Sequence, residues 1–355
     1  MTLAPKPTEI FLKAAVLVCL MTAGCAGSNP SEPTEELATQ VNDEAAPDSV
    51  VEDPELSPAQ RQALLDRSQQ VVGAVVNNTA LWFDGLFATA ELENRTAMTT
   101  GRLSLGTRWD ERDGLKNRVR FAARVPLPEL QRRIRLVLGR SDTDDLIDGS
   151  ESDELKTVPD EFNDTEDEDW FLGLGYRPGG NLASGFNAGV GVTFASGGLR
   201  PYAQVHYRFN RVFGEDWLLR VRPRIFWRDD RGGGVSLSTI LDYSVSRNWL
   251  LRSWLVLVDQ HNTEGVRWTG KLLAYQSLSG RQAFSYNVFV TGDTEREVEV
   301  DDYGFEVRYR RRVFREWLFM ELSTGVSWPR ELLVESRESN FAVGAILEMH
   351  FGGDW

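Results

Sequence analysis

Apolar side chains alternate with polar or small ones along most of the chain from about Ala97 to the C-terminus. In the clearest stretch, residues 217–228, one face carries Leu219, Val221, Pro223, Ile225 and Trp227, and the other carries Arg220, Arg222, Arg224 and Arg228. A period of two predicts a strand with one apolar face. If this strand spans a bilayer, its arginines must face inward, because a charge on the lipid face at the midplane costs about 2–4 kcal/mol. Pro223 lacks a backbone N–H and predicts a bulge.

Turn-like segments recur at a regular interval and set the number of strands. Residues 211–218 return in a shortened form as residues 312–318, and residues 246–250 and 279–282 mark two further turns. Each interval accommodates one hairpin of two spanning strands. Extended backward to turns near residues 126–129 and 178–184, the pattern predicts about fourteen strands, within a range of 12–16, and an even number is usual in single-chain bacterial barrels.

The other connections predict a barrel whose two ends differ. If the N-terminus is periplasmic, the turns named above all lie on the periplasmic side, and they are short. The connections between them are longer and more polar, and they comprise residues 109–114, 142–169, 228–234, 258–265, 292–302 and 329–340. Because the long connections all fall on one side, the pattern favours a membrane barrel over a soluble sandwich.

The C-terminal segment, from Asn340 to Trp355, carries an apolar face that ends on an aromatic residue. It resembles the last strand of Gram-negative outer-membrane β-barrels, which is the signal read by the barrel-assembly machinery. This class-level resemblance covers residues 97–355 and implies an all-β, transmembrane, antiparallel up-and-down β-barrel in the bacterial outer membrane. It also implies outer-membrane lipid, lipopolysaccharide and the assembly machinery as partners. It points to no particular family.

The N-terminal residues 1–25 predict an export signal, with Lys6 and Lys13 before a short apolar run. Ala23-Gly24-Cys25 resembles a lipoprotein cleavage box in which Cys25 is acylated, although Thr22 stands where leucine is usual. Ordinary signal cleavage near Ala26 is the alternative.

Two segments separate the signal from the barrel. Residues 26–56 are acidic, contain prolines and lack lysine and arginine, so they predict a disordered periplasmic linker. Within residues 57–96, Ser57 and Pro58 predict the start of a short helix. This helix is expected to pack against the periplasmic rim or to plug the barrel.

The inward-facing arginines are the candidate functional residues. They are expected to line a pore that attracts anions, and the set comprises Arg118, Arg120, Arg124, Arg133, Arg135, Arg208, Arg220, Arg222, Arg224, Arg308 and Arg310. The acids expected to face inward are fewer: Asp242, Glu306, Glu321 and Glu348. The alternative is an interior filled by arginine–carboxylate pairs or occluded by the N-terminal segment.

The formal net charge of −14 does not argue against this interior, because the acids concentrate in the N-terminal linker and the loops, while the arginines lie in the strands. No cofactor, metal or nucleic-acid motif is present in the sequence. Residues 142–169 are strongly acidic but lack the spacing of an EF-hand, which indicates a solvated external loop.

The sequence therefore predicts a pore for small, anionic solutes rather than an enzyme. A plugged barrel that anchors the envelope and binds a periplasmic partner is the alternative. A lipid-modifying enzyme is a third hypothesis, because outer-membrane enzymes of that kind pair a histidine with a serine on the lipid face. His206 and His350 are expected to point inward instead.

Overall fold

The structure, a computed structural model, describes residues 100–126, 134–142, 168–177, 184–195, 198–261, 263, 265–330 and 332–352. In this part of the chain, fourteen strands form one closed antiparallel barrel. Each strand pairs with its neighbour in sequence, and the first pairs with the last. The predicted fold, an up-and-down barrel of about fourteen strands, is confirmed.

The strands occupy nearly the whole range predicted for the barrel. They are β1 Thr100–Asp110, β2 Gly114–Pro126, β3 Ile134–Asp142, β4 Glu168–Tyr176, β5 Ser184–Ala195, β6 Gly198–Phe213, β7 Trp217–Arg228, β8 Gly232–Ser246, β9 Trp249–Gln260, β10 Val266–Ser279, β11 Gln282–Asp293, β12 Val300–Arg312, β13 Leu318–Ser327 and β14 Asn340–Phe351.

Several predictions concern residues outside the described ones. These are the signal peptide with Cys25, the linker at residues 26–56, the short helix within residues 57–96, and Arg133. Within the described ranges, no helix is long and apolar enough to cross a membrane.

The barrel closes through a continuous ladder between its terminal strands. The ladder runs from Gly101 opposite Phe351 to Asp110 opposite Ala342. On its other side β14 pairs with β13, from Leu318 opposite Met349 to Ser327 opposite Asn340. Closure leaves no edge strand, and this is what allows a β-structure to satisfy its backbone groups inside a bilayer.

Alternation gives every strand an apolar residue on the outside of the barrel. Side chains at these positions remain exposed, and one example from each strand, in order, is Leu105, Val119, Leu138, Leu172, Val190, Val205, Ile225, Val235, Leu251, Leu272, Val288, Phe305, Leu322 and Leu347. Exposed apolar side chains all around a closed barrel form the belt that contacts lipid acyl chains.

The two ends of the barrel differ as the sequence predicts. The turns at residues 214–216, 247–248, 280–281 and 313–317 lie at one end, which we call the short-turn end. The longer connections from β11 to β12 and from β13 to β14 lie at the other end, which we call the long-loop end, together with the short turns between β1 and β2 and between β7 and β8. The sequence pattern did not predict one connection at this second end, which joins Ala195 of β5 to Gly198 of β6.

The bulge predicted at Pro223 is wrong. β7 pairs with β8 without interruption, and Pro223 lies opposite Leu237. On the other side, the ladder with β6 stops at His206–Arg224 and resumes at Phe209–Val221 in the same register. The missing N–H is therefore accommodated by a short gap in one ladder, with no extra residue inserted.

The lipid belt makes a depth-dependent prediction. Leu272 lies in the middle of β10 and is 63% exposed, while Leu199 is also 63% exposed but lies at the long-loop end of β6. Leu272→Arg should lower the free energy of unfolding by about 2–4 kcal/mol, and Leu199→Arg by about 0–1 kcal/mol, because hydration falls with depth. Reversible urea unfolding of the barrel in lipid vesicles measures both. Equal costs at the two positions would contradict the proposed belt.

Candidate functional site: the barrel interior

The structure places most of the predicted arginines on buried inner positions of their strands. Arg208, Arg220, Arg222, Arg224, Arg308 and Arg310 are each at most 8% exposed. Arg118, Arg120, Arg124 and Arg135 are half-buried. Arg118 and Arg120 share the face of the β1–β2 ladder that carries the buried Ser104. The arginines thus follow the strand alternation, and their role in solute binding stays a prediction.

The first group of interior charges is centred on Asp242 of β8. This residue is fully buried and lies opposite Arg252 of β9. The Arg252 Nε donates to its Oδ1 at 2.6 Å and the Arg252 Nη2 to its Oδ2 at 3.2 Å, while Arg220 of β7 donates to the same Oδ2. The Arg252 guanidinium also lies 5.4 Å from the centre of the Tyr275 ring. One carboxylate therefore holds two guanidinium groups in fixed positions.

A second group forms a chain of ion pairs across β12, β13, β14 and β1. Arg308 contacts Glu306 at 2.8 Å and Glu321 at 3.4 Å. Arg310 then joins Glu321 at 3.0 Å to Glu348 at 2.5 Å. The chain ends where Glu348 meets Arg102 at 3.4 Å and the His350 Nε2 at 2.6 Å.

These two networks contain all four acids that the sequence predicts to face inward. Each of them contacts at least one arginine, so the networks compensate part of the cationic interior. This arrangement offsets the desolvation of the buried charges. It also corresponds to the alternative interpretation of the sequence, in which arginine–carboxylate pairs occupy the interior.

The sequence did not predict the burial of three further acids. Asp110, Asp293 and Asp302 are at most 8% exposed and lie in β1, β11 and β12 near the long-loop end. The sequence pattern predicts them in the loops, because composition beside a turn does not show whether an acid belongs to the loop or to the end of the strand. Lys271, which lies opposite Trp254 across the β9–β10 ladder, was also not predicted to face inward, because its strand has no run of alternating cations like that of β7.

An apolar cluster also lies inside the barrel, from its middle toward the long-loop end. It comprises Phe171, Tyr202, Phe226, Ile240, Trp254, Val256 and Val258. The Trp254 indole donates to Ser238 at 3.1 Å, and the Lys271 ammonium lies 4.7 Å from the centre of an indole ring. The sequence carried one hint of this cluster, the nearly continuous apolar run of β9, which is typical of a strand buried on both faces.

The histidines occupy separate positions. His350 is buried beside Glu348 and packs against the Phe319 ring, with 4.7 Å between ring centres. His206 lies opposite Asn187 on one side and Arg224 on the other, on the inward face of β6. Within the described ranges, no group of three or more His, Cys, Asp or Glu residues is placed to hold a metal ion.

A closed antiparallel barrel with an apolar exterior and charged networks inside defines the class of this protein. It is a β-barrel protein of the bacterial outer membrane. No protein-family model and no curated protein matches the chain.

Solved structures with a similar architecture include three outer-membrane proteins. The outer membrane channel DcaP of Acinetobacter baumannii is 7% identical, with a TM-score of 0.43 over 71% of this chain and 96% of that one. A loop-deletion mutant of OmpT from Vibrio cholerae is 11% identical, with a TM-score of 0.42 over 71% and 98%. A bacterial polysaccharide outer membrane secretin is 13% identical, with a TM-score of 0.43 over 72% and 98%. None is similar enough to assign this chain a solute.

The Asp242 network predicts a large effect of a nearly isosteric change. Asp242→Asn leaves Arg220 and Arg252 without their shared carboxylate and should lower the free energy of unfolding by about 3–5 kcal/mol. Asp229→Asn, at an exposed turn position, should change it by about 0.5 kcal/mol or less. Urea unfolding in vesicles compares the two. An equally small effect of both changes would mean that Asp242 is dispensable to the two arginines.

Proposed function

We propose that this barrel is a pore for small, anionic solutes, with the arginines of its inner face setting the selectivity. One observation carries the proposal: inward-facing arginines lie on β1, β2, β3, β6, β7, β9 and β12, whereas four of the buried acids are confined to the two ion-pair networks and three lie near the long-loop end. A cationic channel wall raises the local concentration of anions and lowers their barrier to entry. Among the described residues, inward arginines outnumber inward acids, which favours a hydrated interior, because charges are costly in a dry one.

The proposed selectivity can be measured directly. Two unit charges about 10 Å from a permeating ion across water change its energy by about 0.8 kcal/mol, a factor of about four in permeability. Arg222→Gln combined with Arg224→Gln should therefore lower the chloride-to-potassium permeability ratio by about two- to fourfold once salt screening is included. Reversal potentials in planar bilayers under a KCl gradient give this ratio.

Arg247→Gln is the matched control, because Arg247 lies in an exposed turn at the short-turn end. It should leave the ratio of the wild-type protein unchanged. A wild-type barrel without conductance, or one that prefers potassium while its arginines are intact, would contradict the proposed function.

A plugged barrel that anchors the envelope is the second candidate. Two observations favour it: the apolar cluster inside the barrel and the ion-pair chain from Arg308 to Arg102 both fill interior space. Removal of residues 26–96 separates the candidates in the same bilayer assay. Conductance that begins only after the removal supports a plug, whereas conductance that is the same with and without this segment supports an open pore.

The proposed biogenesis follows from the two ends of the chain. The C-terminal segment, of which β14 forms Asn340–Phe351, is proposed as the contact for the barrel-assembly machinery. Cys25 is proposed as a lipid anchor, and lipopolysaccharide as a partner of the outer surface. We propose no enzymatic activity.

A further inference from the structure

A cavity lies inside the barrel beside β2–β6, apart from the two ion-pair networks. Its volume is about 720 Å³, counting the solvent that opens into it. Among the polar side chains that line it are Arg124 of β2, Arg135 of β3, Asn187 of β5, and Gln204 and His206 of β6. Its residues lie in the short-turn half and the middle of these strands.

No aspartate or glutamate is among the described residues that line this cavity. In the two ion-pair networks, by contrast, Asp242 and Glu348 each hold two arginines. Three arginines, Arg124, Arg135 and Arg177, line the cavity together with the imidazole of His206 and the side-chain amides of Asn187 and Gln204. Such a lining attracts a negative group and offers donors for its oxygens.

Three glycines create the room. Gly173 and Gly175 of β4 and Gly189 of β5 line the cavity on inward positions. A Cβ at Gly175 would have only the Arg135 backbone oxygen near it, at 4.0 Å. A Cβ at Gly189 would meet the Gln204 side chain at 3.4 Å. Gly175 therefore faces open space, and we call the site the glycine-walled cavity.

Tyr202 forms the boundary of the glycine-walled cavity toward the long-loop end. It lines the cavity and also belongs to the apolar cluster. Its hydroxyl lies against Gly173, and its ring lies 2.8 Å from where a Cβ at Gly191 would stand. A side chain at either glycine would displace the ring. The glycines thus fix the place of the ring that separates the cavity from the apolar cluster.

We propose that the glycine-walled cavity is a binding site for a small organic carboxylate. Arg124 and Arg135 hold the carboxylate, Gln204 and His206 contact the rest of the solute, and Gly175 sets the size that fits. The inference rests on the proposed function in one respect, since the solute must reach the barrel interior. It adds the chemical class of the solute and the place where it is held.

Equilibrium binding tests the site without depending on ion flux. Titration calorimetry of the full-length protein in detergent would use acetate, succinate and benzoate, with benzamide as an uncharged molecule of the shape of benzoate. At least one carboxylate should bind, and benzamide should bind at least about tenfold more weakly than benzoate, because a charged hydrogen-bond partner is lost. Equal binding of benzoate and benzamide, or no binding of any of the three carboxylates, would overturn the proposal.

Variants locate the binding. Gly175→Val adds a side chain where a Cβ would have only the Arg135 backbone oxygen near it, at 4.0 Å, and should abolish binding of the largest carboxylate that binds. Arg135→Gln should weaken binding of all the carboxylates by at least about tenfold. Gly106→Ala is the control for an inward side chain added away from the cavity, because a Cβ at Gly106 would point inward on β1 at an ordinary 3.4 Å from Ile346. The heat-modified mobility of each variant on gels verifies that its barrel is closed. Unchanged affinity in a closed Gly175→Val barrel would overturn the proposal.

The same preparations, placed in planar bilayers, separate this proposal from the pore. If the barrel conducts chloride but binds no carboxylate, the proposed pore is supported and the proposed binding site is contradicted. If the barrel binds a carboxylate through Arg135 and Gly175 but does not conduct, the binding site is supported and the pore is contradicted.

Discussion

Backbone hydrogen bonding is the constraint on which the rest of this structure depends. A bilayer offers no partner for a free N–H or C=O, so a sheet inside it must close. Here the closure is the ladder between β1 and β14, which joins the first and last strands of the barrel. Once the barrel is closed, alternation along each strand assigns one set of side chains to lipid and the other to the interior. The distribution of arginine then follows from the cost of charge in lipid.

The interior that results is divided rather than uniform. Toward the short-turn end, ion-pair networks centred on Asp242 and Glu348 occupy the side formed by β7–β9, β12–β14 and β1. The opposite wall, β2–β6, carries glycines and the cavity between Arg135 and His206. Toward the long-loop end, the apolar cluster around Phe226 lies inside the barrel.

Features that depend on a single strand could be predicted from the sequence. The alternation around Arg222 predicts that the segment is a strand, which of its side chains face inward, and which of them are buried. The repeat of the turns predicts the number of strands. Features that depend on neighbouring strands could not. The contact of Arg220 with Asp242, and of Tyr202 with Gly173, is set by register and by side-chain length across different strands. Pro223 illustrates the same limit, because its effect depended on how the β6 ladder would accommodate it.

The apolar cluster escaped prediction for a related reason. Phe226 and Trp254 lie on the same inner faces as arginines of their own strands, so the alternation gave their direction but not what they would meet. Asp302 was missed at a strand boundary, where a loop and a strand end have the same composition. The arginine positions were predictable because charge in lipid is expensive, whereas an apolar residue can be tolerated on either face.

The facing of β7 is the central claim, and a spin-label scan tests it most directly. Single cysteines at each position from Leu218 to Trp227, in a background with Cys19 and Cys25 changed to serine, would carry the label in reconstituted vesicles. Accessibility to molecular oxygen should peak at Leu219, Val221, Pro223, Ile225 and Trp227 and fall at the positions between them. An accessibility profile without a period of two, or one with its peaks at the arginine positions, would contradict the account.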